Sequence, residues 1–339
     1  MLKINNYKNA IILPNTNMNG GVYTDNSFIF NTSLHRNWIK KFPEKVEPRT
    51  IRHEKVVYIG MFHDVWGHCI TDCLKHLWIM NDPNHDDLKN LKFVYLTVYP
   101  DFKFFDNFKK LFLMLGIDVS KIELIAESTQ FDEVFIPEEC FYLDEKDYKY
   151  HFTKEYADLI NKITLDVFPD SSNEKVYFSR TKIKTHKEIG EIYIENTMTN
   201  AGYKIFYPEQ LTFEQQIAVL KGCKYFAATE GSISHNIIFC SDSCHVLILQ
   251  KNSGKMNSYQ ECLNTLKNFR VTNLNVSKSV LNNKRQPWTG PFFIYATKEL
   301  TDFLHVSSRR FPLIPFIFGY ICGNIPSVLK RFIKQLLGR

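Results

Sequence analysis

Apolar residues along this chain fall into two alternating textures. Short unbroken runs, of which Val56-Val57-Tyr58-Ile59-Gly60 is the clearest, read as strands buried on both faces. Between them lie longer stretches whose apolar positions recur at helical spacing. In the first half, the run at 56–60 is followed by a predicted helix over about 65–80, a strand over 92–99 and a helix over 102–115 closed by Gly116. Strands over 122–126 and 134–137 come next, then an amphipathic helix over about 152–168. Pro169-Asp170-Ser171-Ser172-Asn173-Glu174 has the composition of a linker. After it the alternation restarts, with strands over 175–179, 203–207, 225–229 and 246–249 and helices over 187–201, 213–221 and 232–239. The first fifty residues are different: Gly21-Val22-Tyr23 and Ser27-Phe28-Ile29-Phe30 are strand-like pieces broken by Asn and Gly turn signals.

Strand and helix in alternation predict parallel sheets covered by helices. The expected fold is therefore α/β, with two Rossmann-like lobes over residues 1–168 and 174–306 facing a central cleft at the carboxyl ends of their strands. The length of 339 residues agrees, because single cores usually stop growing at about 250–300 residues. Residues 307–339 read as a separate tail. Its apolar stretch 311–322 is interrupted by Pro312 and Pro315 and is too short to span a bilayer. Further on, Val328, Leu329, Phe332, Ile333, Leu336 and Leu337 share one helical face while Lys330, Arg331 and Lys334 lie off it, the pattern of an interfacial helix. A helix docked on the body is the alternative.

Charge sharpens that picture. The chain carries a net charge of +6, and from Arg309 onward there are six basic residues and no acid, so the body before it is neutral. The excess belongs to a tail that would meet an anionic membrane surface, each basic residue contributing ~1 kcal/mol there. A neutral body argues against nucleic acid as a partner. The eight cysteines include no Cys-x-x-Cys, and Cys69/Cys73 and Cys240/Cys244 sit among apolar residues without a zinc-type partner set. Buried free thiols are expected, which fits a reducing compartment. Residues 1–14 lack the pattern of a secretory signal. A cytoplasmic protein peripheral on the inner membrane face is the resulting expectation.

Three constellations can carry chemistry. In Phe62-His63-Asp64-Val65-Trp66-Gly67-His68-Cys69-Ile70-Thr71-Asp72, directly after a strand, His68 and Asp72 stand four apart and share a helical face. Either could take a proton from an acceptor hydroxyl, or the pair could merely staple the helix. In Ala228-Thr229-Glu230-Gly231-Ser232-Ile233-Ser234-His235-Asn236, a strand ends in a glycine followed by small hydroxyl residues, the composition of a phosphate-binding turn or of a plain cap. Ser179-Arg180, with Lys182 and Lys184 beyond, could pair with a diphosphate or form a solvated loop. Gly-x-Gly-x-x-Gly, a Walker loop and Asp-x-Asp are all missing from the sequence. Dehydrogenase and kinase readings therefore lose support, and metal-independent chemistry without a cofactor is expected.

Taken in order, the chain resembles the family-61 glycosyltransferases, which include bacterial capsular-polysaccharide proteins. The stretches that carry the resemblance are Gly20-Gly21-Val22-Tyr23, Trp66-Gly67-His68 with Asp72, Val176-Tyr177-Phe178-Ser179-Arg180, and Ala201-Gly202-Tyr203 leading into Pro208-Glu209-Gln210-Leu211-Thr212-Phe213-Glu214-Gln215-Gln216. Glu230-Gly231-Ser232 through Asn236-Ile237-Ile238-Phe239 completes the set. The resemblance implies a GT-B glycosyltransferase fold with the nucleotide held by the second lobe. It implies His68 and Asp72 on the acceptor side, with Asp72 the first choice as base. Arg180 and Lys182 would meet the diphosphate, Glu209 and Thr212 the nucleotide end, and Gly231, Ser232 and Asn236 the phosphate turn. Where the family often has His before that glycine and a second glycine after the small residue, Glu230 and Ile233 stand here; Glu230 is expected to accept hydrogen bonds from a ribose or sugar hydroxyl. The expected activity is inverting transfer from a nucleotide-sugar, a UDP-sugar by preference, onto a capsule, lipopolysaccharide or lipid-linked glycan. A transferase using another anionic donor such as phosphoenolpyruvate, and a non-catalytic glycan- or lipid-binding scaffold, are the alternatives.

Overall fold

The computed structural model describes residues 2–16, 19–24, 27–33, 46–184, 187–252, 256–278, 290–307 and 314–317. They fall into two compact units, residues 1–167 with 261–266, and residues 168–260 with those from 267 onward. The return of 261–266 to the first unit has no counterpart in the sequence pattern.

In the first unit, β1 (Ile4–Leu13), β2 (Gly21–Thr24), β3 (Ser27–Phe28), β4 (Thr50–Phe62), β5 (Lys92–Thr97), β6 (Glu123–Leu124) and β7 (Thr129–Pro137) form one sheet in the order β3-β2-β1-β7-β4-β5-β6. The four strands β7, β4, β5 and β6 run parallel, as the alternation predicts. The other three do not. β1 is antiparallel to β7 and to β2, and β2 to β3, so the lobe is mixed rather than purely parallel. β1 is masked in the sequence by Asn5, Asn6 and Asn9, a residue type depleted in strands. Its alternation becomes clear only once Ala10 and Ile12 are seen fully buried, and Asn9 takes a left-handed φ of 50°, which Asn tolerates better than most residues. A hairpin of β8 (Phe141–Leu143) and β9 (Tyr150–Phe152) completes the strands of this unit.

The single helix expected over 65–80 is instead α1 (Trp66–Cys69) followed by two 3-10 turns, Asp72–Leu74 and Leu77–Asn81. The reason lies in burial. A helix lying on a sheet exposes one face, but every residue from 69 to 79 is buried, so this segment is enclosed on all sides. Thr71, at φ −119° and ψ −89°, breaks the helix, and its hydroxyl donates back to the Gly67 carbonyl at 2.8 Å. The helices over 102–115 and 152–168 do form, as the shorter α2 (Asp106–Met114) and α3 (Lys154–Thr164).

The second unit holds five parallel strands, β10 (Lys175–Phe178), β12 (Lys204–Phe206), β13 (Tyr225–Thr229), β14 (His245–Gln250) and β15 (Arg270–Asn275), in the order β12-β10-β13-β14-β15. Numbered along the chain this is the doubly wound order 2-1-3-4-5, whose strand order reverses between β10 and β13. A separate short ladder pairs β11 (Glu188–Ile189) with β16 (Phe292–Phe293). The helices are α4 (Glu191–Asn200), α5 (Phe213–Gly222), α6 (Ser258–Leu263), which carries the chain back to the first unit, and α7 (Lys298–Phe303). One face of the sheet is closed by Tyr177, Ala227 and Leu247 packing on Ile194, Met198, Phe292 and Leu300; each fully buried aliphatic side chain there contributes about 1.5–3 kcal/mol.

Gly190, at φ 100°, starts α4, and a Cβ at this position would stand 2.1 Å from the Ile294 carbonyl, so only glycine lets β16 and the helix start approach. The adjacent residues 314–317 are helical, and Phe316 is buried against the rings of Phe293 and Tyr295 at 5.4 and 6.2 Å. The rest of the basic tail beyond residue 307 lies outside the described residues. Among those described, no helix is long and apolar enough to cross a membrane.

Candidate functional site

β4 is the strand about which the parallel part of the first sheet changes direction: the chain continues to β5 and β6 on one side and then returns to β7 on the other. Its carboxyl end delivers His63, and α1 begins three residues later. The Asp72 carboxylate accepts a hydrogen bond from His68 Nδ1 at 2.7 Å and lies 3.1 Å from the Thr71 hydroxyl, whose single proton it shares with the Gly67 carbonyl. With its proton on Nδ1, His68 presents Nε2 as a proton acceptor. The two partners differ in access: the His68 side chain keeps 22% of its surface exposed, the Asp72 side chain only 4%. The broken helix has therefore kept the i,i+4 pair while sinking its acid.

The His63 ring lies 4.8 Å from that of His68 and edge-on to Tyr99 at 5.3 Å. Its Nδ1 accepts the Val65 N–H at 3.0 Å. Burial, then the neighbouring His68, pushes the His63 imidazole down, so it stays neutral.

In the second unit, the carboxyl ends of β10, β13 and β14 lie side by side where strand order reverses. Arg180 leaves β10, Glu230 and Gly231 leave β13, and Lys251 leaves β14. Arg180 Nη1 and Lys251 Nζ both reach one oxygen of the buried Glu188, at 3.2 and 2.9 Å. Burial pushes the Glu188 carboxyl up, and Lys251 and Arg180 more than reverse this and hold it below the ordinary range. One carboxylate thus gathers two cations. The Lys251 ammonium also lies 4.2 Å from the Phe292 ring centroid, and a Cβ on Gly231 would come within 3.3 Å of it. Gly231, at φ 127°, is where the backbone needs glycine.

Behind these cations, Glu191 accepts from the Tyr177 hydroxyl at 2.8 Å and from the Arg180 N–H at 3.4 Å. Burial, then the Glu188 charge, raises its carboxyl to about 8. Glu195 gathers the Ser179 hydroxyl at 2.5 Å, the Thr181 hydroxyl and the Tyr207 hydroxyl at 3.4 Å.

The other expected residues divide. Glu230 is buried beside the turn and accepts the Asn257 N–H at 3.0 Å; burial raises its carboxyl. The Ser234 hydroxyl accepts the Gly231 N–H at 3.1 Å and donates to Gln260 at 2.5 Å. Asn236 is buried, with its amide on the Ile233 carbonyl at 3.0 Å, and Ser232 is half-buried. The segment after Gly231 is a 3-10 turn, Ser234–Phe239, rather than an α-helix. Lys182 is exposed, 5.5 Å over the Tyr207 ring. Thr212 and Gln215 form a reciprocal capping box at the start of α5, a complete local account of Thr212. Glu209 is exposed in the turn Pro208–Gln210.

Glu188, Glu191, Glu195 and Lys251 escape the sequence pattern. Acids four apart on a helix read as its solvated side, whereas Glu191 and Glu195 line the buried side of α4, and Glu188 sits on β11 where the pattern predicts a helix. Lys251 carried a usable signal, since it directly follows a strand predicted to end at the ligand-binding edge.

Among the described residues, two groups bring three possible metal-ligand atoms within 4.8 Å of one another: Asp144, Asp147 and His151 in the β8–β9 hairpin, and Cys223, Cys240 and Cys244. The first belongs to turn hydrogen bonds, with Asp144 and Asp147 accepting backbone N–H groups at 2.8 and 2.9 Å.

The sequence profile of the family Glycosyltransferase 61 matches residues 66–247, from Trp66-Gly67-His68 into β14. The chain belongs to glycosyltransferase family 61. No curated protein shows a significant match to it. Family-61 membership makes sugar transfer the class of activity, and the two sheet-and-helix units are consistent with a GT-B-like fold. The matched span includes His68, Asp72, Arg180 and Gly231; Lys251 lies just beyond it.

Proposed function

We propose that this family-61 protein is an inverting glycosyltransferase that moves a sugar from a nucleotide-sugar, a UDP-sugar by expectation, onto a surface-glycan or lipid-linked acceptor. His68 Nε2 takes the proton of the acceptor hydroxyl as its oxygen bonds to the anomeric carbon and the bond from that carbon to the diphosphate breaks. Asp72, buried and bonded to Nδ1, orients the imidazole and stabilises the imidazolium; this moves the role of base from Asp72 to His68. The departing nucleoside diphosphate is met in the second unit by Arg180 and Lys251, with Gly231 letting the phosphate approach the backbone of the turn, Ser232 offering its N–H and Glu230 accepting from a sugar or ribose hydroxyl. These cations take the place of a metal in the proposal. Lys182, Glu209, Thr212 and Asn236 are left as nucleotide-side contacts of lesser weight.

The observation that carries the donor reading is the convergence of Arg180 and Lys251 on Glu188 at the strand-order reversal, where doubly wound sheets bind ligands. Replacing either cation by Ala is expected to weaken nucleoside-diphosphate binding about 10–100-fold, the weight of one charge-assisted hydrogen bond. Calorimetry with UDP and a donor-panel transfer assay, run with and without a chelator, measure this. Unchanged affinity in both variants, or thermal stabilisation by phosphoenolpyruvate and by no nucleotide, would sink the donor assignment.

The basic residues from 309 onward suggest an acceptor at the inner membrane face. Removing residues 318–339, which keeps the buried Phe316, is expected to abolish co-sedimentation with anionic vesicles while sparing transfer to a water-soluble acceptor. Retained vesicle binding would count against the tail as the contact.

A further inference from the structure

The cysteines of the second unit meet in a way their spacing hides. All seven described cysteines are free and buried, as the sequence predicts. Cys240 and Cys244, however, do have a partner. Cys223 caps the end of α5, Cys240 ends the 3-10 turn Ser234–Phe239, and Cys244 precedes β14, so three elements deliver three sulfurs to the amino-terminal edge of the sheet. The Sγ atoms lie within 4.8 Å of one another, and the residues are 3%, 0% and 2% exposed. This edge is opposite the carboxyl ends that hold Arg180 and Lys251.

We propose that Cys223, Cys240 and Cys244 bind a thiophilic d10 metal ion through three thiolates. A zinc–sulfur bond is about 2.3 Å, which places ligand sulfurs roughly 4 Å apart, so closing on an ion asks for only a small contraction of the cluster. Two features favour an ion over simple packing. First, the ligands are all soft sulfur, the donor set that selects zinc or cuprous copper over the hard cations.

Second, a cation stands by. Lys267 Nζ donates to the carbonyls of Ile238 and Cys240 at 3.0 and 2.6 Å, and among the described residues it forms no ion pair with a carboxylate. Three thiolates around a divalent ion carry one net negative charge, which one ammonium balances. Binding displaces the thiol protons to solvent and involves no change of oxidation state. The ion would tie the end of α5 to the segment that runs back from Gly231, holding the donor turn from behind without touching substrate.

The test uses the full chain, stripped with chelator under reductant and titrated with Cd2+ and with Zn2+ in thiol-free buffer. Expected are one tightly bound Cd2+ with a sulfur-to-metal charge-transfer band, competition by Zn2+ and a higher melting temperature. Cys240→Ser and Cys223→Ser should each weaken binding by about 100-fold, whereas Cys140→Ser, in the first unit, should leave it intact. Should the serine variants fail to fold, zinc-edge X-ray absorption on the unaltered protein decides: three sulfur neighbours at about 2.3 Å are expected. No stoichiometric binding, a nitrogen and oxygen shell, or pairwise oxidation of the thiols with no metal bound would overturn the site.

Discussion

Replacing His68 by Ala is expected to slow sugar transfer by about 10²–10⁴-fold, the usual weight of a positioned general base. Affinity for the nucleotide-sugar should change by less than about twofold, because a residue acting on the acceptor hydroxyl acts in the transition state rather than on the bound donor. Asp72→Asn should also cost rate. An Asn side chain can offer its amide to Nδ1, which would place the imidazole proton on Nε2, the nitrogen that has to be bare. The two variants therefore separate the assignments. If His68 is the base, the double variant His68→Ala with Asp72→Asn is no slower than His68→Ala alone, since Asp72 acts only through the imidazole. If Asp72→Asn is dead and His68→Ala is nearly wild type in a single-turnover transfer assay, the carboxylate is the base and His68 a helper.

What the sequence made legible follows from where periodicity is a faithful signal. The second sheet was read nearly strand by strand, because Val176-Tyr177-Phe178, Phe226-Ala227-Ala228 and Val246-Leu247-Ile248 are buried on both faces and leave continuous apolar runs. β15 was missed: in Arg270-Val271-Thr272-Asn273-Leu274-Asn275 only Leu274 is buried, and such an edge strand leaves no run to see. The enclosed segment at 65–80 misled in the opposite way. Its apolar positions fit helical spacing, but a segment buried on all sides gains nothing from helical amphipathicity, and Thr71 was free to end the helix early.

The candidate site was legible where chemistry sat next to a strand end. His68, Asp72, Arg180 and Gly231 were singled out as candidates by that logic. Glu188 was not, because nothing in its own neighbourhood announces that it will be buried between two cations brought in from other strands. The cysteine cluster failed for the same reason: Cys240 and Cys244 are close in sequence, but Cys223 reaches them only through the fold of α5 and β13.

Replacing Glu191 by Gln is expected to stabilise the protein at pH 7.5 by about 3 kcal/mol relative to pH 5. The sign follows from the direction of the shift. Glu191 titrates near 4.5 when unperturbed and near 8 in the folded protein. Between those values the unfolded chain has released a proton that the folded chain still holds, so folding stability falls as pH rises through the window and levels off above about 8. Gln cannot titrate and mimics the neutral acid, keeping an acceptor for the Tyr177 hydroxyl and the Arg180 N–H.

Melting curves of the two proteins from pH 5 to 8.5 should therefore diverge steadily, with the wild type losing ground. The difference isolates Glu191 from groups that titrate in both, such as His76, whose imidazole is pushed down to about 3 by burial and then Lys75 and so favours folding above its unperturbed range. Glu188 is likewise common to both proteins. Parallel curves would mean that Glu191 is ionised in the folded state even though its Oε2 has no hydrogen-bond partner among the described residues. Arg180 and Lys251 would then face two carboxylates instead of one, and the surplus positive charge on which diphosphate binding is argued would be gone. A stability measurement on a residue that touches no substrate thus tests the electrostatics of the donor site independently of any transfer assay.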